Sequence, residues 1–265
     1  MNESAKETWG AGNPYEQYVG RWSSRIAQAF LPWLDVAPGQ TWADVGCGTG
    51  ALVEKILAAG QPRAVYAIDR SKGFLTSAMA RIGDPRARFS AADAAALPWA
   101  AGACHACVSG LVLNFVPDAA AVVSEMARVT QPAGHVAAYV WDYSGGMQMM
   151  RYFWDAAILV DPRAAALDQG ERFPLCQPEP LKAVFQNAGL SSVSVRAVDI
   201  PMIFRDFDDF WTPFLGKQGS APTYLASLSG ELREAIRAVL QDRLPTAADG
   251  SIHLIGRAWA ARGTV

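Results

Sequence analysis

The sequence is poor in the residues that build metal centres and disulfide frameworks. It has 4 cysteines and 3 histidines in 265 residues. Four cysteines at this length do not make a disulfide scaffold, and a reducing, cytoplasmic setting is the simplest expectation. Charge is also sparse. Charged residues are 18% of the chain, 23 basic against 25 acidic, for a net charge of −2. That balance lacks the basic footprint of a nucleic-acid binder, so no nucleic-acid partner is expected. No apolar run approaches the ~18 residues that a transmembrane helix needs. Met1-Asn2-Glu3-Ser4-Ala5-Lys6 is polar and has no apolar run behind it, so it does not read as a secretory signal. What the chain does have is apolar mass. Hydrophobic residues are 51% and aromatics 10%, enough to bury a large core and to exclude global disorder.

Organisation follows from periodicity. Asn13-Pro14 reads as a helix start, and Tyr15, Tyr18, Val19, Trp22, Ile26, Phe30 and Trp33 recur at steps of three and four. This predicts an amphipathic helix over 14–34. From residue 41 the rhythm becomes strand, turn, helix. Strands are expected at 41–45, 64–68, 87–91, 106–113 and 135–141, with helices at 51–59, 71–82 and from Asp118 onward. Continuous apolar strands alternating with helices predict an α/β fold with a doubly wound, mostly parallel sheet. After Trp141 the pattern breaks. Residues 143–178 and 200–248 read as insertions rich in methionine and aromatics, around the returning elements 181–188 and 191–198. A last strand is expected at 251–261. The expectation is one domain over 1–265, with the first helix and both insertions forming a helical lid.

The strongest chemical signal is Asp44-Val45-Gly46-Cys47-Gly48-Thr49-Gly50, between a strand and a helix. Glycines let the chain turn tightly and let a ligand approach the main chain. A G-x-G pattern alone also suits dinucleotides. Here the spacing is G-x-G-x-G, and no Lys or Arg follows to hold phosphates. Asp44 precedes the first glycine by two positions. A carboxylate there repels a pyrophosphate and attracts a sulfonium or ammonium. Asp69 ends the second strand, 19 residues after Gly50, where a carboxylate can accept hydrogen bonds from ribose hydroxyls. Asp93 follows the third strand, placed for an adenine amino group. A cationic, phosphate-free nucleoside fits these facts.

With these residues in place, the sequence resembles the class I S-adenosylmethionine-dependent methyltransferases, and within them the branch that includes the ubiquinone and menaquinone methyltransferases. The resemblance rests on the glycine loop, Asp69, Ala92-Asp93-Ala94 with Leu97-Pro98-Trp99, and Glu125-Met126-Ala127-Arg128-Val129. It covers about residues 15–200. It implies a seven-stranded sheet whose last strand is antiparallel, S-adenosyl-L-methionine as cofactor and S-adenosyl-L-homocysteine as product. Gly46, Cys47, Gly48 and Gly50 would line the methionine part, Asp69 with Arg70 the ribose, and Asp93 with Ala94 the adenine. Ser109 to Leu111 would face the donor near its methyl group, and Tyr18 and Arg21 would cover it. Two departures concern the subfamily: His105-Ala106 stands where many relatives carry Phe-Asp, and Pro132-Ala133-Gly134 where many carry Pro-Gly-Gly.

The remaining candidates concern the acceptor. Asp142 and Tyr143 end the fifth strand, and either could orient or deprotonate a substrate; His253 is a third candidate base. The alternative for Asp142 and Tyr143 is a turn or capping role. Asn114 follows the fourth strand and could touch the acceptor. Met147, Met150, Trp154, Trp211 and Phe214 lie in the insertions, where adaptable apolar side chains suit an apolar or aromatic acceptor, or form a core. Cys104 and Cys107, three apart on a strand, should point to opposite faces and not share a metal, and no metal site is expected. The function expected is methyl transfer to a small acceptor, with a nicotinamide oxidoreductase or a non-catalytic S-adenosylmethionine-binding regulator as alternatives. The acceptor and the oligomeric state are not encoded in these patterns.

Overall fold

The computed structural model describes residues 19–216 and 219–265. Two compact units share the chain. The first holds residues 23–141, 175–198 and 258–265; the second holds the described parts of 19–22, 142–174 and 199–257.

The first unit carries the parallel sheet. Its strands are β1 (Thr41–Val45), β2 (Ala64–Asp69), β3 (Ala87–Ala91), β4 (Cys104–Gly110) and β5 (Thr130–Trp141), joined by β6 (Ser191–Phe204) and β7 (Ile252–Thr264). Their order is β3-β2-β1-β4-β5-β7-β6. β1 pairs in parallel with β2 and β4, β2 with β3, and β4 with β5, whereas β7 is antiparallel to β5. Between β1 and β4 the winding reverses, and open α/β sheets bind ligands at the carboxyl ends of the strands beside that reversal. Strand β1 is buried at Trp42, Ala43, Asp44 and Val45, as expected of a central strand covered on both faces.

Helices α1 (Arg21–Leu34), α2 (Ala51–Ala59), α3 (Lys72–Arg81), α4 (Ala119–Val129) and α7 (Pro178–Asn187) connect these strands. Their ends obey local chemistry. Ser71 caps α3 by accepting from the Phe74 N–H, and Asp118 caps α4 by accepting from the Ala121 N–H. The helix expected over 14–34 is described from Arg21, and from Ser23 onward it groups with the sheet unit. Its apolar stripe explains why. Ile26, Ala27, Phe30 and Leu34 are buried, and Phe30 packs on Tyr139 at 4.7 Å between ring centroids.

The second unit contains α5 (Gln148–Val160), α6 (Gln169–Arg172), α8 (Phe207–Trp211), α9 (Ser220–Ser227) and α10 (Gly230–Arg243). Its interior is aromatic. Phe153 stacks on Phe214 at 4.6 Å, and Trp154 lies 5.7 Å from Tyr224 and donates its indole N–H to Gln169 at 3.3 Å. Strands β6 and β7 extend further than their alternation suggests, to Phe204 and Thr264. Among the described residues no helix is long and apolar enough to cross a membrane.

Candidate functional site

The site is built in the first unit, on the loops that follow β1, β2, β3 and β4. After β1 the chain runs through three glycines in the left-handed region: Gly46 at φ 77°, Gly48 at 54° and Gly50 at 87°. A side chain is unwelcome there on conformational grounds alone. Two of the three are also sterically closed. A Cβ on Gly46 would stand 2.7 Å from the Val112 methyls, and one on Gly50 2.6 Å from Ile82 Cδ1. Gly48 faces open space, so its lack of a side chain leaves room for a ligand. The loop is tied to β2, because the Gly46 and Cys47 amides both donate to the Ile68 carbonyl at 2.8 Å.

Asp44 is the electrostatic centre of this site. It lies on β1 opposite Ala67 of β2 and Val108 of β4, and it is 1% exposed. Neither carboxylate oxygen has a hydrogen-bond partner among the described residues. Burial, and after it the charge of Asp69, pushes its carboxyl up to about 8. Burial raises the Cys47 thiol as well, reinforced by Asp44 and Asp69, which leaves Cys47 inert as a nucleophile. A buried carboxylate without a partner is costly, and a cation relieves the cost.

Asp69 works on the loop itself. Its Oδ2 accepts from the Gly48 N–H at 2.9 Å, and its Oδ1 accepts from Ser71 N–H at 2.7 Å. The half-buried carboxylate therefore braces the glycine loop and keeps further lone pairs for a ligand. Its neighbour Arg70 is exposed. Asp93, also exposed, accepts from the Ala95 N–H at 2.9 Å, while Ala94 is buried. The turn beyond Asp93 has a clasp that sequence reading left without a role. Glu125 Oε2 accepts from Leu97 N–H at 2.8 Å. Arg128 bonds the same Glu125 and donates to the carbonyls of Trp99 (2.8 Å) and Leu97 (3.1 Å). The joint occurrence of Leu97-Pro98-Trp99 and Glu125-Met126-Ala127-Arg128 in the sequence is the signal of this clasp.

The end of β4 needs correction at one residue. Ser109 is fully buried and its hydroxyl donates to the Val45 carbonyl at 2.8 Å. It is a tie between β4 and β1, not a donor contact. Leu111, just after β4, is half-buried, with φ at 61°. The β4–β5 register shifts between Cys104 and Ala106, and this irregularity breaks the strict alternation of the strand. The Cys104 thiol donates to the Val129 carbonyl at 3.4 Å; its neighbour Cys107 lowers the Cys104 pKa, while burial raises that of Cys107.

Of the other predicted residues, Asn114 follows β4 in the first unit, Tyr18 falls outside the described residues, and the rest lie in the second unit. Arg21 pairs with Asp209 at 2.9 Å and lies over the rings of Trp22 (4.5 Å) and Phe204 (4.7 Å). Asp142 caps its own turn. Its carboxylate accepts from Ser144 Oγ (3.0 Å), Gly145 N–H (3.2 Å) and Gly146 N–H (2.8 Å). With these bonds in place it holds the chain's exit from β5 rather than standing free as a base. Tyr143 is buried against Phe173 at 5.9 Å. His253 is exposed on β7, 2.9 Å from Ser251 Oγ, which in turn donates to Asp249 at 2.6 Å. The serine stands between the acid and the histidine, so this is not an acid–histidine–nucleophile relay. Met147, Met150, Trp154, Trp211 and Phe214 are all buried in that unit, at 7% exposure or less. They form the packed core that was the alternative to a pocket wall.

The sheet, with its reversal between β1 and β4 and a glycine loop under a buried acid, defines a Rossmann-like nucleoside-binding fold of methyltransferase type. The comparisons with known proteins agree. Residues 43–138 match the methyltransferase domain model. The chain is 31% identical over 172 residues to a demethylmenaquinone methyltransferase of Roseiflexus sp., covering 59% of this chain and 70% of that protein. It is also 31% identical over 139 residues to a tRNA (carboxymethyluridine(34)-5-O)-methyltransferase of Macaca fascicularis, covering 48% of this chain but only 19% of that one. Among solved structures, a phosphoethanolamine N-methyltransferase of Haemonchus contortus in complex with S-adenosylhomocysteine superposes with a TM-score of 0.58. That likeness, at 17% identity, spans 96% of this chain and 56% of the other, and it is one of fold. The chain belongs to the class I S-adenosylmethionine-dependent methyltransferase family.

Proposed function

We propose that this protein transfers the methyl group of S-adenosylmethionine to a small, apolar, hydroxyl-bearing aromatic acceptor of the hydroquinone class. The observation that carries the donor assignment is Asp44, a buried carboxylate with no partner directly before an open glycine turn. Such a group matches the positively charged end of this donor and opposes the pyrophosphate of a dinucleotide. The residues fit the group. Gly48 leaves space for it, Asp69 has lone pairs for the ribose hydroxyls, and Asp93 with the Glu125–Arg128 clasp frames the adenine end.

When bound, the donor supplies a methyl group that is already electrophilic. The work of the chain is then to hold the donor by Asp44 and Asp69, keep the loop rigid through Ile68 and Val112, and exclude water. Alignment and desolvation of this kind supply much of the rate of a displacement. The acceptor class is drawn from the demethylmenaquinone methyltransferase likeness and from the apolar character of residues 110–116. A membrane partner or nucleic-acid acceptor is not required by either.

The test joins binding and turnover. Calorimetry should show S-adenosylhomocysteine binding with 1:1 stoichiometry. Incubation with S-adenosylmethionine and a reduced short-chain demethylnaphthoquinol should produce S-adenosylhomocysteine and a product heavier by one methylene. Binding without turnover of any hydroquinone would remove the acceptor class and leave the donor site standing. Absence of binding would remove both.

A further inference from the structure

The connection from β3 to β4 carries Asp93 and contains no helix. It is anchored on both sides of that residue. Before it, the Ala92 N–H donates to the Asp69 carbonyl at 3.3 Å. Beyond it, the anchor is α4. Glu125 Oε2 accepts from the Leu97 N–H at 2.8 Å. The Arg128 guanidinium bonds both oxygens of Glu125, at 2.6 and 2.7 Å, and donates to the carbonyls of Trp99 and Leu97. The Arg128 carbonyl also accepts from the Gly102 N–H at 3.0 Å. A single helical residue thus holds the connection at 97, 99 and 102. The helix itself is seated firmly, with Val122, Val123, Met126 and Val129 buried.

Between the anchors hangs a closed turn. Asp93 Oδ1 accepts from the Ala95 N–H at 2.9 Å, and the Asp93 carbonyl accepts from the Ala96 N–H at 3.1 Å. Ala94 and Leu97 point inward as buried plugs, while Asp93 is exposed. For stability alone the clasp is poorly placed. The side chains of Arg128 and Glu125 are 38% and 22% exposed, and ion pairs that wet contribute little. For position it is well built. The guanidinium donates four hydrogen bonds from one rigid fork, which the ammonium of a lysine cannot reproduce. Holding a turn in place before a ligand arrives removes an ordering cost from binding.

We propose that Arg128, held by Glu125, is a positioning residue for the base end of the donor. Acting through Leu97 and Trp99, it fixes the turn from which Asp93 accepts the amino group of adenine. This rests on the donor reading above and adds to it the device that makes the base end selective. A carboxylate accepts from an amino group but faces only lone pairs on an oxo group, so a fixed Asp93 discriminates between the two and a loose one does not.

The experiment measures base selectivity by calorimetry with S-adenosylhomocysteine and S-inosylhomocysteine, which carry an amino and an oxo group at the same purine position. The wild type should prefer the adenine compound about tenfold, the value of one satisfied hydrogen bond. Arg128→Met, which keeps the length and loses the fork, should bring the ratio close to one, mainly by weakening the adenine compound. Arg128→Lys should restore only part of the preference. Glu125→Gln, which keeps an acceptor for Leu97 but loses the charge that holds Arg128, should lower the ratio in the same direction and serves if the methionine variant does not fold. Asp93→Asn should also lower the ratio, and adding Arg128→Met to it should change the ratio no further, because the two act as one unit. A clasp that is merely structural would weaken both ligands equally. An unchanged ratio in a folded Arg128 or Glu125 variant therefore overturns the proposal. So does a further fall in ratio when Arg128→Met is added to Asp93→Asn, or a wild type indifferent to the base. Failure of the wild type to bind S-adenosylhomocysteine overturns the donor reading itself.

Discussion

Asp44 is where the chemistry of a single residue reaches furthest. With its carboxyl at about 8 in the folded chain and 3.8 as the reference, the folded protein holds a proton between those values that the unfolded chain has lost. Stability from this group is therefore full below pH 4 and falls as pH rises towards 8, at up to ~1.4 kcal/mol per pH unit. Urea melts from pH 5 to 8 should show this slope in the wild type and its loss in Asp44→Asn. Donor binding should run the other way. A cation favours the ionised acid, so a proton leaves on binding below pH 8, and calorimetry in buffers of different ionisation enthalpy should detect it in the wild type but not in Asp44→Asn. The asparagine variant is thus expected to be the more stable protein above pH 6 and the weaker binder. Asp69→Ala should also weaken S-adenosylhomocysteine binding, by ~1–3 kcal/mol for a lost charged hydrogen bond. An unchanged dissociation constant would remove Asp69 from the site.

At the level of elements, the three glycines should separate by cause. Gly46→Ala and Gly50→Ala introduce both a left-handed alanine and a contact under 3 Å with Val112 or Ile82, and should lower stability by ~1–3 kcal/mol. Gly48→Ala meets no neighbour. It should cost only the backbone term of ~1–2 kcal/mol and should impair donor binding more than its melting temperature suggests. Thermal melts paired with calorimetry distinguish the two patterns, and equal binding loss in all three would mean that Gly48 does not face the ligand. The same elements show what the sequence made legible. The strand–loop–helix of 41–59, the acids that follow it and the switch in winding were readable because each has a local rule: apolar runs, glycine at positive φ, a carboxylate at a strand end. Other features depend on partners distant in sequence. The Ser109–Val45 tie and the Glu125–Arg128 clasp span 64 and up to 31 residues, and no periodicity reports them. The register shift of β4 between Cys104 and Ala106 is set by pairing with β5, which alternation along one strand cannot foretell. Asp142 read as a cap or a base, and its three bonds, which no pattern in the sequence reports, show the cap.

For the whole molecule, the chain passes between its two units at 22/23, 141/142, 174/175, 198/199 and 257/258, and the last two passages fall within β6 and β7. Neither unit is therefore a continuous segment that could be excised, and ligand effects are best read on the intact protein. The residues assigned to the donor in the first unit lie at the strand ends and loops of one sheet, so saturating them should stabilise the fold as a unit. A ligand at 100 times its dissociation constant adds ~2.7 kcal/mol, a rise of a few degrees in melting temperature at this size. S-adenosylmethionine and S-adenosylhomocysteine at about 1 mM should each produce such a rise if they bind at ~10 µM or better. NAD should produce none, because its pyrophosphate finds no Lys or Arg on the glycine loop and, unlike a cation, gains nothing from ionisation of Asp44. A rise with NAD alone would mean that the loop holds a pyrophosphate beside protonated Asp44. That outcome would move the donor assignment from a methyl-bearing nucleoside to a dinucleotide on the same sheet.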